Sequence, residues 1–527
     1  MSAPKPARAG RQGGMLLSTA IFSLMTFISR IAGYLRDWLQ ASLFGAGPAV
    51  SAFVVAYRIP NYLRRIFAEG SFSSAFVPVL SELRQKGDQE ALQDFIDHIA
   101  GALLAIVVVV SALGVLLAPW VAKLFLLLAS ADAQTVPLAA DMLRITFPYL
   151  TFISMTALAG AVLNSFRHFG LPALTPVLHN VAMIAAMLLL ARHLEVPESS
   201  MAWGVLAAGI LQMLVLWPAM ARLGLRTRFR FNLRHAGVNR VIRLMLPTIF
   251  SSSVAQVNLL VGTVFASLLV VEAQSWLYYS DRLTELPLGL FGVAIGTVIL
   301  PQLSRHHADD DAAGYSRSLD WGLRMVLLVG APAALGLALL SEPLTASLFR
   351  YGRFNDEDTR MVGYSLTAMS IGIPSFMLSK VLLPAFYARQ DTRTPMRAAI
   401  ATVIANVILT VAFVTPLWML GFKAAHVGIA AATALAGVLN AGLLWRYLRR
   451  QGIYRPLPGW GRWVLQIAVA LLAMTLAVLA VRAWAGDWLA LRAVVRWLWL
   501  LGAVAAGGVA YGVALLALGI RPRHLRH

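Results

Sequence analysis

Not one cysteine occurs among the 527 residues. Disulfides, thiolate metal sites and cysteine nucleophiles are therefore excluded. Charge is scarce as well: 13% of the chain is Asp, Glu, Lys or Arg, and the 24 acids are outnumbered by 44 Lys and Arg. Long polar stretches are missing too. No interval between apolar runs exceeds about 25 residues, too short for a catalytic domain beside them. Glycine-rich phosphate loops, HExxH and nucleophile-elbow patterns are absent in any usable context. Any activity must lie within apolar helices or at their ends.

What is there instead is apolar sequence, 59% of all residues, far from the mix of a soluble domain. A bilayer-spanning helix needs about 20 apolar residues. About fourteen such runs can be read, near 15–43, 48–80, 99–118, 135–163, 173–191, 200–220, 245–270, 275–303, 325–341, 361–387, 398–416, 425–444, 464–481 and 497–519. The expected fold class is an all-α polytopic membrane protein with about 14 transmembrane helices. A net charge of +20 could suggest a nucleic-acid partner, but its placement argues for topology. Even-numbered loops and the two tails hold 27 of the 44 basic residues, and odd-numbered loops hold 9. By the positive-inside rule both termini are then cytoplasmic, and no nucleic acid is called for. Residues 1–14, with Lys5, Arg8 and Arg11, lead into a run too long for a signal-peptide core, and read as a tail before a retained first helix. The seven arginines from Arg222 to Arg243 suit anionic headgroups of membrane lipids.

Eight basic residues remain inside the runs: Arg30, Arg36, Arg58, Arg64, Arg65, Arg144, Arg282 and Lys380. A charge at mid-bilayer costs roughly 2.5–3.5 kcal/mol even on the lenient insertion scale. A chain that keeps several must use them. Arg58 and Arg65 are explained by snorkelling or by pairing with Glu69. For Arg30, Arg36, Arg64 and Arg282 the local acids, Asp37, Glu69, Asp281 and Glu285, are too few for full pairing. A surplus of buried guanidinium predicts an anionic ligand, phosphate in particular. Gly33, Pro60 and Pro287 are expected to break their helices toward a water-filled site. Arg30 and Arg36, six residues apart, lie about 120° from a common face, so a bend at Gly33 would be needed to bring both inward.

The chain also echoes itself. Tyr57-Arg58 to Pro78-Val79-Leu80-Ser81 corresponds to Asp281-Arg282 to Pro301-Gln302-Leu303-Ser304, and Phe166-Arg167 with Pro172 corresponds, at nearly the same offset, to Ala388-Arg389 with Pro395. Two six-helix halves of one orientation follow, here bounded as a tail at 1–14, lobes at 15–222 and 223–450, and a C-terminal helix pair and tail at 451–527. Segment 81–98, with Glu82, Asp88, Glu90, Asp94 and Asp97 among apolar residues, reads as an amphipathic cytoplasmic surface helix. His306 and His307 beside Asp309, Asp310 and Asp311 read as a flexible loop of solvated charge, with no metal site. No cofactor is implied. Two rivals stay open on these grounds: an exporter of cationic drugs, which should carry acids in its cavity, and a membrane-embedded glycan polymerase or ligase with Asp281 or Glu285 as base.

Several segments are similar to one known family. Phe27-Ile28-Ser29-Arg30-Ile31-Ala32-Gly33-Tyr34-Leu35-Arg36-Asp37, Phe44-Gly45-Ala46-Gly47, Arg58-Ile59-Pro60-Asn61 and Leu63-Arg64-Arg65-Ile66-Phe67-Ala68-Glu69-Gly70 resemble the MurJ (MviN) lipid II flippases. So do Tyr278-Tyr279-Ser280-Asp281-Arg282-Leu283, Gly296-Thr297-Val298-Ile299-Leu300-Pro301 and Phe386-Tyr387-Ala388-Arg389-Gln390-Asp391-Thr392. The resemblance implies the multidrug/oligosaccharidyl-lipid/polysaccharide exporter fold: two six-helix lobes and a C-terminal pair forming a groove for a lipid tail. It implies undecaprenyl-pyrophosphate-linked disaccharide-pentapeptide, lipid II, as substrate, the bacterial inner membrane as location, and the cell-wall synthesis machinery as a further partner. Transport without catalysis is expected. The family's cavity residues would fall on Arg30, Arg36, Arg64 and Arg282, with Asp281, Lys380, Ser29, Asn61, Glu285 and Asp37 beside them. Where relatives can carry an acid before Ala52-Phe53, this chain has Ser51.

Overall fold

The computed structural model describes residues 9–64, 71–126 and 135–520. Every regular element among them is helical. Two compact units result, Met1–Gln256 and Val257–His527. The first contains α1 (Ala9–Phe44), α2 (Pro48–Arg64), α3 (Ser71–Lys86), α4 (Gln89–Leu116), α5 (Ala118–Leu126) and α6 (Thr135–Thr146). It continues with α7 (Tyr149–Ser165), α8 (Gly170–Leu189) and α9 (Ser199–Arg222), and α10 (Ala236–Ser267) leads out of it. The second contains α11 (Ala273–Pro287), α12 (Val293–Ala308), α13 (Ala312–Leu339), α14 (Ser341–Phe349), α15 (Asp356–Ser370) and α16 (Ile373–Tyr387). It closes with α17 (Arg393–Met419), α18 (Val427–Arg450), α19 (Trp460–Ala485) and α20 (Ala493–Ala517). Among the described residues, nine helices are long and apolar enough to cross a bilayer, and α15 with α16, bent by 44°, makes up to ten.

The echo in the sequence is an echo in structure. The long α4 and the short α5 recur as α13 and α14 with identical lengths and with both ends displaced equally along the chain. Their starts use the same device. Gly87 (φ 72°) and Asp310 (φ 50°) turn the chain through the left-handed region; Asp88 and Asp311 then cap, accepting from Ala91 N at 2.9 Å and Gly314 N at 2.7 Å. Capping fills an orphan donor of the first turn and favours a start at that residue. A third pair, Arg167 (φ 66°) and Gln390 (φ 58°), ends α7 and the α16 segment at the same spacing. The segment read as one surface helix over 81–98 is thus two helices parted at Gly87, because the glycine permits the turn and Asp88 starts a new helix. The His306–Asp311 stretch is likewise ordered, with His306 Nδ1 3.0 Å from the Asp311 carboxylate. Backbone bonds to Gly314 and the neighbouring His306 and Arg317 hold that carboxyl below its usual range against the effect of burial.

Each unit also has a buried carboxylate that fastens the strap following its last lobe helix. Asp97, 3% exposed in α4, accepts from Arg228 N at 2.8 Å and Gln93 Nε2 at 2.7 Å. Asp320, 1% exposed at the equivalent position of α13, accepts from Tyr454 Oη at 2.7 Å, Trp460 Nε1 at 2.7 Å, Leu457 N at 3.2 Å and Arg324 Nε at 2.8 Å. Within the first unit, Phe72, Phe76 and Phe95 stack at 5.1 and 5.7 Å between centroids. Lipid supplies little hydrophobic drive between helices, so close approach through small residues matters. Gly204 of α9 lies where a Cβ would meet Met183 and Ala186 of α8 at 3.0–3.1 Å, and Gly101 of α4 abuts the Arg230 backbone of the strap. Gly101→Ala should displace that strap at a cost of about 1–3 kcal/mol, seen as a lower melting temperature in detergent. In the second unit α19 and α20 pack together and on α13, where Tyr511 Oη donates to Leu328 O at 2.8 Å.

Candidate functional site

The first unit holds an open cavity of about 630 Å³ lined by α2, α3, α7, α8 and α9, among them Tyr57, Arg64, Tyr149, His179, Asn180 and Gln212. Arg64 is at the C-terminal end of α2, where its Nε donates to Asn61 Oδ1 at 2.9 Å. A partly buried guanidinium, steered by an amide on the preceding turn, thus borders the cavity. Asn180 links that wall to α1: its Nδ2 donates to Ser29 O at 3.0 Å, and its Oδ1 accepts from Arg36 Nη1 at 3.0 Å. Arg36 is 6% exposed, and its Nε and Nη2 both donate to Asp37 Oδ1, at 3.0 and 2.7 Å. Asp37 is itself buried. Arg36 and Asp37 together add almost no net charge, and among the described residues Arg64 is the arginine on the cavity lining. Gln212 Nε2 donates to Thr175 O at 2.6 Å, tying α9 to α8 across the floor.

The sequence-predicted residues divide by unit. In the first, Arg64 lines this cavity, Asn61 is hydrogen-bonded to it, and Ser29, Arg36 and Asp37 are joined to the wall through Asn180, while Arg30 is exposed on another azimuth of α1. The break expected at Gly33 does not occur; α1 is continuous from Ala9 to Phe44. A lone glycine weakens a helix by about 1 kcal/mol but removes none of its hydrogen bonds. Pro60 is also housed within α2, whereas Pro287 does end α11, followed by a π-helical turn at Leu288–Gly292. Arg58 is half-buried in α2; Arg65 and Glu69 lie outside the described residues. Arg144 is exposed and paired with Asp141 at 2.7 Å, a surface role. In the second unit, Arg282 donates to Glu285 Oε2 at 3.0 Å, Asp281 is half-buried, and Lys380 is exposed on α16. Sequence reasoning missed His179 and Asn180. Two adjacent polar side chains inside the apolar run 173–191 were the available signal.

Helices in two units that repeat one plan, with polar and cationic groups turned into an internal cavity, define a membrane transporter. The same architecture is found in an inward-facing multidrug resistance MATE family transporter of the MOP superfamily, at a TM-score of 0.64 and 14% identity over 83% of this chain and 98% of that one. A nearer likeness is the structure of lipid II flippase MurJ in an inward closed conformation, TM-score 0.79 and 26% identity over 94% of this chain and 98% of that one. The family profile described as lipid II flippase MurJ matches residues 40–498. Among relatives, the probable lipid II flippase MurJ of Vibrio cholerae is 42% identical over 519 residues, 97% of this chain and 98% of that protein. The lipid II flippase MurJ of Burkholderia cenocepacia is 43% identical over 453 residues, 85% of this chain and 86% of that protein. The chain belongs to the lipid II flippase MurJ family.

Proposed function

We propose that this protein moves lipid II across the bacterial inner membrane, from the cytoplasmic to the outer leaflet, by alternating access and without catalysing a covalent step. The observation that carries the reading is the polar cavity of the first unit, with Arg64 on its wall and the Arg36–Asp37–Asn180 network behind it, in a chain of this family. The pyrophosphate is the only strongly anionic linkage such a lipid brings into the membrane. Guanidinium forks match its oxygens in shape and charge. Arg64 meets it first, Arg30, Arg282 and Lys380 add charge as the headgroup passes, and Asn61 and Ser29 hold the arginines in place. Asp281 and Glu285 set the position of Arg282. Arg36, already matched by Asp37, fixes α1 to α8.

In this reading fourteen spans form two six-helix lobes, 15–222 and 223–450, which rock against each other, and the polyprenyl tail stays in lipid along α19 and α20. Both termini are cytoplasmic, and the cell-wall synthesis machinery receives the product. An inside-negative potential favours outward movement of anions by about 2.3 kcal/mol per charge per 100 mV. The test is headgroup accessibility of lipid II in proteoliposomes, with and without imposed potential. Wild-type protein should expose the headgroup on the far leaflet with no longer glycan formed; appearance of new glycosidic bonds, or no movement above empty vesicles, would refute it. Arg282→Ala should abolish growth complementation while membrane expression stays intact.

A further inference from the structure

Away from the transport cavity, three potential ligands converge where α4 begins and the strap before α10 ends. Asp94 and His98, four residues apart, share one face of α4. His235 joins them from just before α10. One ligand atom from each lies within 4.8 Å of the other two. The carboxylate bridges the edges of the two rings, with Oδ2 3.1 Å from His235 Nε2 and Oδ1 3.3 Å from His98 Nδ1. The imidazoles lie parallel, centroids 4.4 Å apart and planes 5° from one another. Side-chain exposures of 14% for His98 and 23% for His235, against 42% for Asp94, make this a half-sheltered notch open on its carboxylate side.

Two details separate the cluster from an ordinary surface ion pair. His98 Nδ1 donates to the Asp94 carbonyl oxygen at 2.8 Å. That bond fixes the tautomer, leaves the Nε2 lone pair as donor to a ligand, and is the orienting contact that metal-bound histidines generally make. His235 Nδ1 is buried and has no hydrogen-bond partner. Nε2, the ring's other nitrogen, is the one that faces the carboxylate and would take an ion there.

The duplication supplies an internal control. Asp97, which fastens the strap in this half, recurs as Asp320, so the clasp is common to both halves. At the offset that carries Asp97 to Asp320, the counterparts of Asp94, His98 and His235 are Arg317, Trp321 and Pro458. The clasp is therefore built in the second half without such a cluster, and folding of the strap does not explain the three side chains in the first.

We propose that Asp94, His98 and His235 form a binding site for a divalent first-row transition metal, with zinc the fitting ion, that pins the strap to the first turns of α4. Two imidazoles and one carboxylate are the borderline ligand set such ions select, and no thiolate is needed. Arg230, whose Nη1 lies 3.4 Å from Asp94 Oδ1, is half exposed and is displaced outward when the ion enters.

Full-length protein stripped by chelator and titrated with Co²⁺ should bind one ion with visible bands of a low-coordinate nitrogen and oxygen site. His98→Gln and His235→Gln should each weaken that binding by more than about tenfold, while a His306→Gln/His307→Gln variant keeps the wild-type isotherm. Zinc-edge absorption of the wild-type 1:1 complex should count two imidazoles, and needs no variant to fold. Unchanged Co²⁺ affinity in both single variants, or fewer than two imidazoles on zinc, would overturn the site. Lipid II movement is not the readout, so failure here leaves the transport reading standing.

Discussion

Arg64→Ala should lower lipid II movement in proteoliposomes by at least about tenfold and abolish growth complementation, while the protein still inserts and melts near the wild-type temperature. Arg64 is the cationic side chain on the lining of the first unit's cavity, and it is only partly buried, with Asn61 as a hydrogen-bond partner. Truncation takes the guanidinium fork from the cavity wall and leaves Asn61 Oδ1 without this donor. The expected loss falls on the ligand. A hydrogen bond to a charged group contributes about 1.5–3 kcal/mol, and each 1.4 kcal/mol is a factor of ten in binding. Arg64→Lys keeps the charge but not the fork, and should give an intermediate rate. Wild-type movement by Arg64→Ala would show that the cavity does not hold the pyrophosphate.

Arg36→Ala should behave differently even though it lies one hydrogen bond away. Removing it takes two donors from Asp37, which is 1% exposed, and one from Asn180 Oδ1. Breaking a buried ion pair from one side costs about 3–5 kcal/mol, so this variant should fail in expression and melting before transport can be measured. Arg36→Ala/Asp37→Ala removes both charges and should recover much of that stability. The two arginines thus separate by assay: one through transport with a sound fold, the other through the fold itself.

Much of this was legible in the chain. Apolar runs marked the helices, and two short echoes at a single offset gave a repeat that α4 and α13 reproduce residue for residue in length. Polar burial was the part that pattern could not supply. Asp97 read as one more acid on a solvated face, because its partner, Arg228 N, lies 131 residues away. Adjacent helical residues do not ordinarily face each other, so Arg36 and Asp37 offered no reason to be paired; the guanidinium folds back onto Asp37 while its Nη1 donates to Asn180 Oδ1. Gly33, Pro60 and Pro287 were read alike as breaks; a proline removes a donor and crowds the preceding turn, yet α2 accommodates Pro60, and only at Pro287 does the helix change form. The His98–His235 stack was invisible for the same reason as the clasp: its members meet through the strap.

That strap carries the other large expected effect on stability. Asp320→Ala removes the acceptor for Tyr454 Oη, Trp460 Nε1 and Leu457 N together and leaves Arg324 without its carboxylate. Arg324 is 22% exposed and can turn toward water, but the other three donors are held by the strap and by the start of α19. Of the three, Tyr454 is buried and Trp460 partly so, while Leu457 is exposed; with about 1–3 kcal/mol for a buried donor left unmade, a total of about 2–4 kcal/mol is expected. The damage should be local. Segment 451–459 should become the preferred site of proteolysis, with α19 and α20 loosened from α13 while the rest of the chain keeps its helices. Asp97→Ala, which orphans one backbone donor while Gln93 Nε2 keeps its bond to Arg226 O, should lower the melting temperature by less, in proportion to the donors lost. Burial and the Asp320 carboxylate also hold the Tyr454 phenol above its usual range. A raised phenol contributes stability that is complete below its unfolded value, near pH 10, and is lost as pH climbs beyond it. Tyr454→Phe removes both that alkaline loss and one of the four bonds, so its melting temperature should start below wild type at neutral pH and fall less steeply in alkali. Equal melting of Asp320→Ala and wild type, with no new cleavage at 451–459, would mean that the helix pair is held by apolar packing alone.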